Sequence, residues 1–284
     1  MAFGPFLVVA VLLSVVYVSH AQSLHIVVNT VADSVDANPG DCICEDANGL
    51  CSLRAALQTL GDGLACTGAA TAFQITLYPG YYRPASAYPA VAIANPMSHS
   101  SRSFEIVGMD KEKVAFSLDQ YTTFASPLFD FEGGVANNNM DITMKRMTFK
   151  SLGGPPMTSA ILSGTIEMDQ QFALSEIVVD AQAEVPGGPF LRTISRQTVT
   201  VGDSELHHPN PFSFDVNIKG IAFADSSFYG GQVIDLQGAD SLIHRCYFSE
   251  TGVCACKRNA NTLRINTDCC LVDMDTVIRF DRCH

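Results

Sequence analysis

The chain has 284 residues, with 17 Lys and Arg against 29 Asp and Glu, a formal net charge of -12 at pH 7. That length supports a sizeable core, and an acidic balance without any polybasic run disfavours nucleic acid, an anionic membrane surface and acidic polymers as partners. Charged residues make up 16%, below the roughly 25% of an average soluble domain, so the chain is folded and lightly charged rather than disordered.

Phe6 to Val18 is an apolar run, followed by Ser19-His20-Ala21, whose small first and third residues suit signal peptidase. Residues 1–21 are therefore expected to be a signal peptide, with Gln22 opening the mature chain. The run is shorter than the roughly 20 residues a membrane helix needs. No second apolar span follows, so a secreted, extracellular protein with no membrane span after cleavage is expected. The cysteines agree with an oxidising compartment. Cys42, Cys44, Cys51 and Cys66 form one even group and Cys246, Cys254, Cys256, Cys269, Cys270 and Cys283 another. All ten are disulfide candidates, with the connectivity open. A zinc set at Cys254, Cys256, Cys269 and Cys270 misses the usual ligand spacing.

Between the two groups the sequence repeats. An apolar template h-x-h-x-x-h-x-h fits Ile142, Met144, Met147, Phe149; then Phe172, Leu174, Ile177, Val179; then Val216, Ile218, Ile221, Phe223. Weaker copies at Val199, Val201, Ser204, Leu206 and Ser241, Ile243, Cys246, Phe248 place a small residue at one position. Alternation, a one-residue slip and renewed alternation is how a strand turns a corner while keeping its apolar side chains inward. The stretches between copies are turn-formers such as Gly153-Gly154-Pro155-Pro156, where a helix would otherwise have to lie. An all-β, right-handed parallel β-helix, or solenoid, is predicted over residues 71–284, with an antiparallel sandwich of short strands as the competing arrangement.

Ser52 to Leu60 predicts one helix, with Leu53, Ala56, Leu57 and Leu60 on a single stripe, Ser52 as N-cap and Gly61 as stop. It is expected to cap the first coil, within a disulfide-tied segment of residues 22–70. The run His25 to Ser34, the acidic cysteine-bearing loop and Cys51-Ser52-Leu53-Arg54-Ala55-Ala56-Leu57 resemble the CSLREA domain. That domain opens secreted and surface right-handed β-helix proteins of the polymorphic-outer-membrane-protein and pectate-lyase (pectin lyase fold) kind. The resemblance implies a first β-coil at Phe73 to Tyr82 and says nothing of catalysis. Ala55 stands where the family has Glu, so Ala55→Glu is expected to restore the capping box and add about 0.5 to 1 kcal/mol.

Candidate chemistry is scattered. Asn266-Thr267-Asp268 matches the first polygalacturonase motif, but the paired aspartates that should follow are missing. Isolated lyase candidates are Asp203, Glu205, Asp235, Asp273, Asp275, Arg245 and Arg264. His207-His208 is the one histidine doublet, and adjacent strand residues face opposite sides. Asp33, Asp36, Asp41, Glu45 and Asp46 form an acidic loop weighed as a Ca²⁺ site, against the reading that no cofactor is bound. Tyr81, Tyr82, Tyr88 and Tyr229 are candidate sugar-stacking residues in a chain without Trp. The catalytic residues, if any, stay unknown. The expected function is a non-catalytic β-helix presenting an extended surface to carbohydrate or to cell-surface and matrix partners. A divergent polysaccharide lyase or glycoside hydrolase is the alternative, and a fragment of a larger surface adhesin, suggested by the bare Cys283-His284 end, a third.

Overall fold

A computed structural model describes residues 22–61, 70–89, 102–117, 127–131, 140–151, 161–164, 171–181, 189–193, 198–208, 212–214, 219–229, 234–235, 240–249, 253–254, 263–265, 271–272 and 278–279. The expected signal peptide, Cys66, Cys256, Cys269, Cys270, Cys283, Asn266-Thr267-Asp268, Asp273 and Asp275 lie outside these residues, and of Cys254, Asp235 and Arg264 only the backbone is described.

The chain opens with β1 (Gln22–Val28), the helix α1 (Leu53–Gly61), β2 (Ala70–Leu77) and β3 (Gly80–Tyr82). Next come β4 (Arg102–Gly108), β5 (Val114–Ser117) and β6 (Phe129–Phe131), then β7 (Met140–Ser151), β8 (Leu162–Gly164), β9 (Gln171–Ala181) and β10 (Leu191–Thr193). Shorter repeats follow: β11 (Thr198–Gly202), β12 (Glu205–His207), β13 (Phe212–Phe214); β14 (Gly220–Ala224), β15 (Ser227–Tyr229), β16 (Ile234–Asp235). The last are β17 (Asp240–His244), β18 (Tyr247–Ser249), β19 (Val253–Cys254), β20 (Leu263–Ile265), β21 (Leu271–Val272) and β22 (Ile278–Arg279). They form sheets of 15, 4 and 3 strands. The protein is thus mostly β, and within it the long sheet runs β1-β2-β4-β7-β9-β11-β14-β17-β20. Its pairings are parallel throughout the described residues. This excludes the antiparallel sandwich there and is compatible with a parallel β-solenoid.

Register carries the core from one repeat to the next. Ile26, Ile75, Ile106, Met144, Leu174 and Val201 are consecutive partners across the long sheet, and all are buried. The one-residue slip of the template is a corner. Its fifth position is Arg146, Glu176, Asp203, Asp225 and Arg245 in successive repeats, with φ of 58°, 55°, 50°, 51° and 51°. One residue in the left-handed region swings the strand round without breaking the inward alternation. Past the corner, the four-stranded sheet faces the same core. Phe116 has Tyr82, Phe129 and Phe149 at ring-centroid distances of 5.2, 5.6 and 5.2 Å, so rings from two sheets interlock.

One template copy is corrected. Ile221 pairs with Val199 and Ser241, so this repeat reads Ile221, Phe223, Ser226, Phe228 and starts five residues after Val216. The template settles five residues early because Val216, Ile218, Ile221 and Phe223 fill all four apolar positions, whereas the true register places one of them on Ser226. Its hydroxyl donates to the Ala224 carbonyl at 2.7 Å and accepts from Ser204 N–H at 3.2 Å. Ser204 does the same one repeat earlier, donating to Gly202 O at 2.7 Å and accepting from Ile177 N–H at 3.1 Å. Serine at this corner satisfies turn backbone that an aliphatic side chain would leave unbonded.

The helix spans Leu53–Gly61, and Ser52 is its N-cap, accepting from Ala55 N–H at 3.0 Å while donating to Ser34 O at 2.5 Å. It is buried more fully than a single stripe requires, with Arg54, Ala55 and Thr59 enclosed as well as the leucines. β1 also joins the long sheet ahead of β2, one strand earlier than the first coil implied by the resemblance.

Two outcomes follow for stability. Ala55 is 0% exposed and its carbonyl accepts from Thr59 Oγ1 at 2.9 Å, so a glutamate there has no room to fold back on the N-cap. Contrary to the sequence expectation, Ala55→Glu should lower stability by about 1–3 kcal/mol in denaturant titration. Gly108 is needed for close approach, since a Cβ there would lie 1.9 Å from the Arg146 carbonyl oxygen. Gly108→Ala should cost about 1–3 kcal/mol. Gly202→Ala, whose added carbon meets nothing nearer than 3.9 Å, should change thermal stability little.

Candidate binding surface

Arg54, the charged residue of the Cys51–Leu57 run, is spent inside the N-terminal segment. Its Nε and Nη2 donate to Asp33 Oδ1 and Oδ2 at 2.8 and 2.9 Å, and Nη1 and Nη2 donate to the Ala87 and Ser86 carbonyls at 2.9 Å. The guanidinium also lies 5.2 Å from the centre of the Tyr88 ring. A cation this enclosed ties α1, the residue 33 loop and the chain after β3 together.

The acidic loop turns its oxygens on its own backbone. Asp46 Oδ1 accepts from Asn48 and Leu50 N–H at 2.8 and 3.1 Å, and Oδ2 accepts from Ser34 Oγ at 2.7 Å. Asp36 accepts from Asn38 N–H at 3.0 Å and Thr59 Oγ1 at 2.9 Å, and Asp41 from Ile43 N–H at 2.8 Å. Among the described residues, no three His, Cys, Asp or Glu side chains group as a metal site. A disulfide joins Cys44 to Cys51 beside the N-cap, and Cys42 is also disulfide-bonded. Cys246 is buried at the last corner, with Sγ 3.4 Å from the His244 carbonyl.

The scattered lyase candidates are not drawn together where described. Asp203 is an exposed corner residue, Glu205 Oε1 lies 2.7 Å from His207 Nε2, and Arg245 pairs with Asp225 at 2.5 Å, holding that carboxyl below its ordinary range. The histidine doublet splits as strand alternation requires. His207 faces outward, stacked on Tyr229 with centroids 4.1 Å apart, and His208 is buried. That stack covers one face of each ring, and the Tyr229 ring also meets Tyr247 at 5.5 Å.

The tyrosines separate by exposure. Tyr82 and Tyr88 are core residues, and the Tyr82 hydroxyl, donating to Tyr78 O at 2.8 Å, is pushed up in pKa by its burial. They are not available for stacking. Tyr81 is 56% exposed and is joined by three residues that the sequence did not single out: Tyr78, Met109 and Val31, at 44%, 51% and 42%. Backbone bonds bring them into one place. Met109 N–H donates to Leu77 O at 3.1 Å, Gly80 N–H donates to Lys113 O at 2.7 Å, and Val31 lies against Gly80. These residues crown the early corners as an aromatic and aliphatic patch with Arg83, Lys111 and Lys113 at its margin.

No family model, curated protein or solved structure matches the chain.

Asp46 supplies a pH test of the loop. The Ser34 hydroxyl first, then the Leu50 and Asn48 amides, hold its carboxyl below the ordinary value. The stabilisation is therefore complete above the unfolded value of about 3.9 and is lost as pH falls through the lower folded value. Asp46→Asn should be less stable than the parent at neutral pH and should lose less stability between about pH 5 and pH 2 in acid denaturation.

Proposed function

We propose that the chain is an exported, right-handed parallel β-helix with an N-terminal cap, acting as a non-catalytic binder of carbohydrate at a cell surface or in a matrix. The carrying observation is the exposed group of Tyr78, Tyr81 and Met109 on the stacked corners. Amphipathic rings of this kind offer an apolar face to a pyranose and a hydroxyl to its polar rim. A contiguous apolar patch with a charged margin marks a binding surface on a soluble protein. The parallel pairing supports the fold reading, because parallel connections are right-handed in nearly all cases. The cap-side disulfide and the apolar leader support export.

Immobilised polysaccharides test the reading. The secreted protein, starting at Gln22, should be retained by at least one of them, and Tyr81→Ala should weaken retention about tenfold with an unchanged melting temperature. Reducing-sugar or unsaturated-product release that is lost on substituting a carboxylate would replace it with a catalytic one.

A further inference from the structure

We infer that the surface around Tyr78 and Tyr81 takes an anionic glycan, one carrying carboxylate or sulfate groups. The inference rests on the carbohydrate reading and adds the charge of the ligand. Six cations, Arg83, Lys111, Lys113, Lys145, Arg146 and Lys150, lie about this surface of a chain that is acidic as a whole, against Glu105, Asp110 and Glu112. Lys111 and Lys113 lie on the turn that follows Met109, Arg146 is the corner residue of the next repeat, and its carbonyl is the atom against Gly108. On the other side of Tyr81, strand alternation puts Arg83 outward, and Lys150 occupies the row of Ser117. Lys113 is held by Asp110 at 3.0 Å and Lys145 by Glu105. Arg83, Lys111, Arg146 and Lys150 have no ion pair among the described residues. Arg146 acts on Glu105 without contact and Lys150 stands in register beside Asp180, so Arg83 and Lys111 carry the charge most open to a ligand.

The net charge of -12, which by itself disfavours an acidic polymer, acts weakly at this surface. Carboxylates farther than about 8 Å away are largely screened at physiological ionic strength, and local cations then decide the sign a ligand meets. Of the loop carboxylates, Asp36, Asp41 and Asp46 are bonded to backbone amides; the carboxylates nearest the patch cations are Asp110, which holds Lys113, the exposed Glu112, and Glu176 at the corner beside Arg146. The exposed tyrosines favour a sugar over an acidic peptide, because a ring face and its hydroxyl match the apolar face and polar rim of a pyranose.

Matched polymers separate the possibilities: dextran sulfate against dextran, carboxymethyl cellulose against hydroxyethyl cellulose, and poly-glutamate as an acidic chain without sugar. Binding is expected to a charged member and not to its neutral counterpart, to weaken with added salt, and to fall about two- to five-fold for each of Arg83→Ala and Lys111→Ala. Lys219→Ala, away from the patch, should bind as the parent does. Equal binding of charged and neutral members, or no loss in both charge variants, overturns the inference and leaves the carbohydrate reading standing. Retention of poly-glutamate as tight as that of the charged glycans would assign the surface to an acidic protein instead. Failure to bind any glycan overturns both.

Discussion

Parallel strands stacked in register make the apolar side of every repeat a surface that only the next repeat covers. Most local peculiarities of the chain answer to that constraint. The interior rows cannot shift by one residue without turning outward, which is why a corner must change direction within a single residue. The left-handed residue provides the change, and at the Asp203 and Asp225 corners serine at the following position bonds a turn carbonyl and a neighbouring amide. Gly108 answers the same demand from the other side, leaving space for the carbonyl of the adjoining corner.

The constraint is most severe at the first strand, which has a neighbour on one side only within the long sheet. Helix α1 meets it by laying Leu53, Leu57 and Leu60 into the same core as Ile26 and Val28. Such a helix is too short to hold itself in place, since isolated helices of this length are marginal in water. Its position comes from what grips it. Arg54 reaches Asp33 and two carbonyls beyond β3, Asp36 meets Thr59 and Gln58, and the Cys44–Cys51 disulfide fixes the approach to the N-cap. An enclosed ion pair of this kind adds little net stability over apolar packing, but it admits one arrangement of three segments.

Legibility in the sequence followed side-chain chemistry. Repeats whose corner position is apolar, at Met147 and Ile177, were plain from alternation alone. The repeat beginning at Ile221 was misplaced because Val216 and Ile218 complete a fully apolar copy out of phase, which outscores a register with Ser226, whose hydroxyl bonded to backbone has no hydropathy signal. Helix α1 was legible from Ser52 and its leucines, yet the closeness of packing at Ala55 was not, because enclosure depends on segments distant in sequence. The tyrosines show the same limit. Tyr81 and Tyr82 are adjacent and identical in type, and only the strand's facing decides that one is surface and the other core. Tyr78 and Met109 escaped notice because their meeting depends on the pairing of β2 with β4.

The corners also explain how a molecule with so regular an interior carries a varied surface. Inward positions are held to a narrow range of apolar volumes by the rows they join, so little chemistry is free to change there. A corner residue in the left-handed region is strained whatever its side chain, at a cost of order 1 kcal/mol, and its identity is then set by what lies beside it one repeat away. Asp225 and Arg245 illustrate this, opposite charges at successive corners joined in a bidentate pair. Arg146 and Glu176 mark a change of sign along the same edge. Charge at the described corners thus changes sign along the stack, cationic at Arg146, anionic at Glu176, Asp203 and Asp225 and cationic again at Arg245, and a sum over the whole chain averages that pattern away.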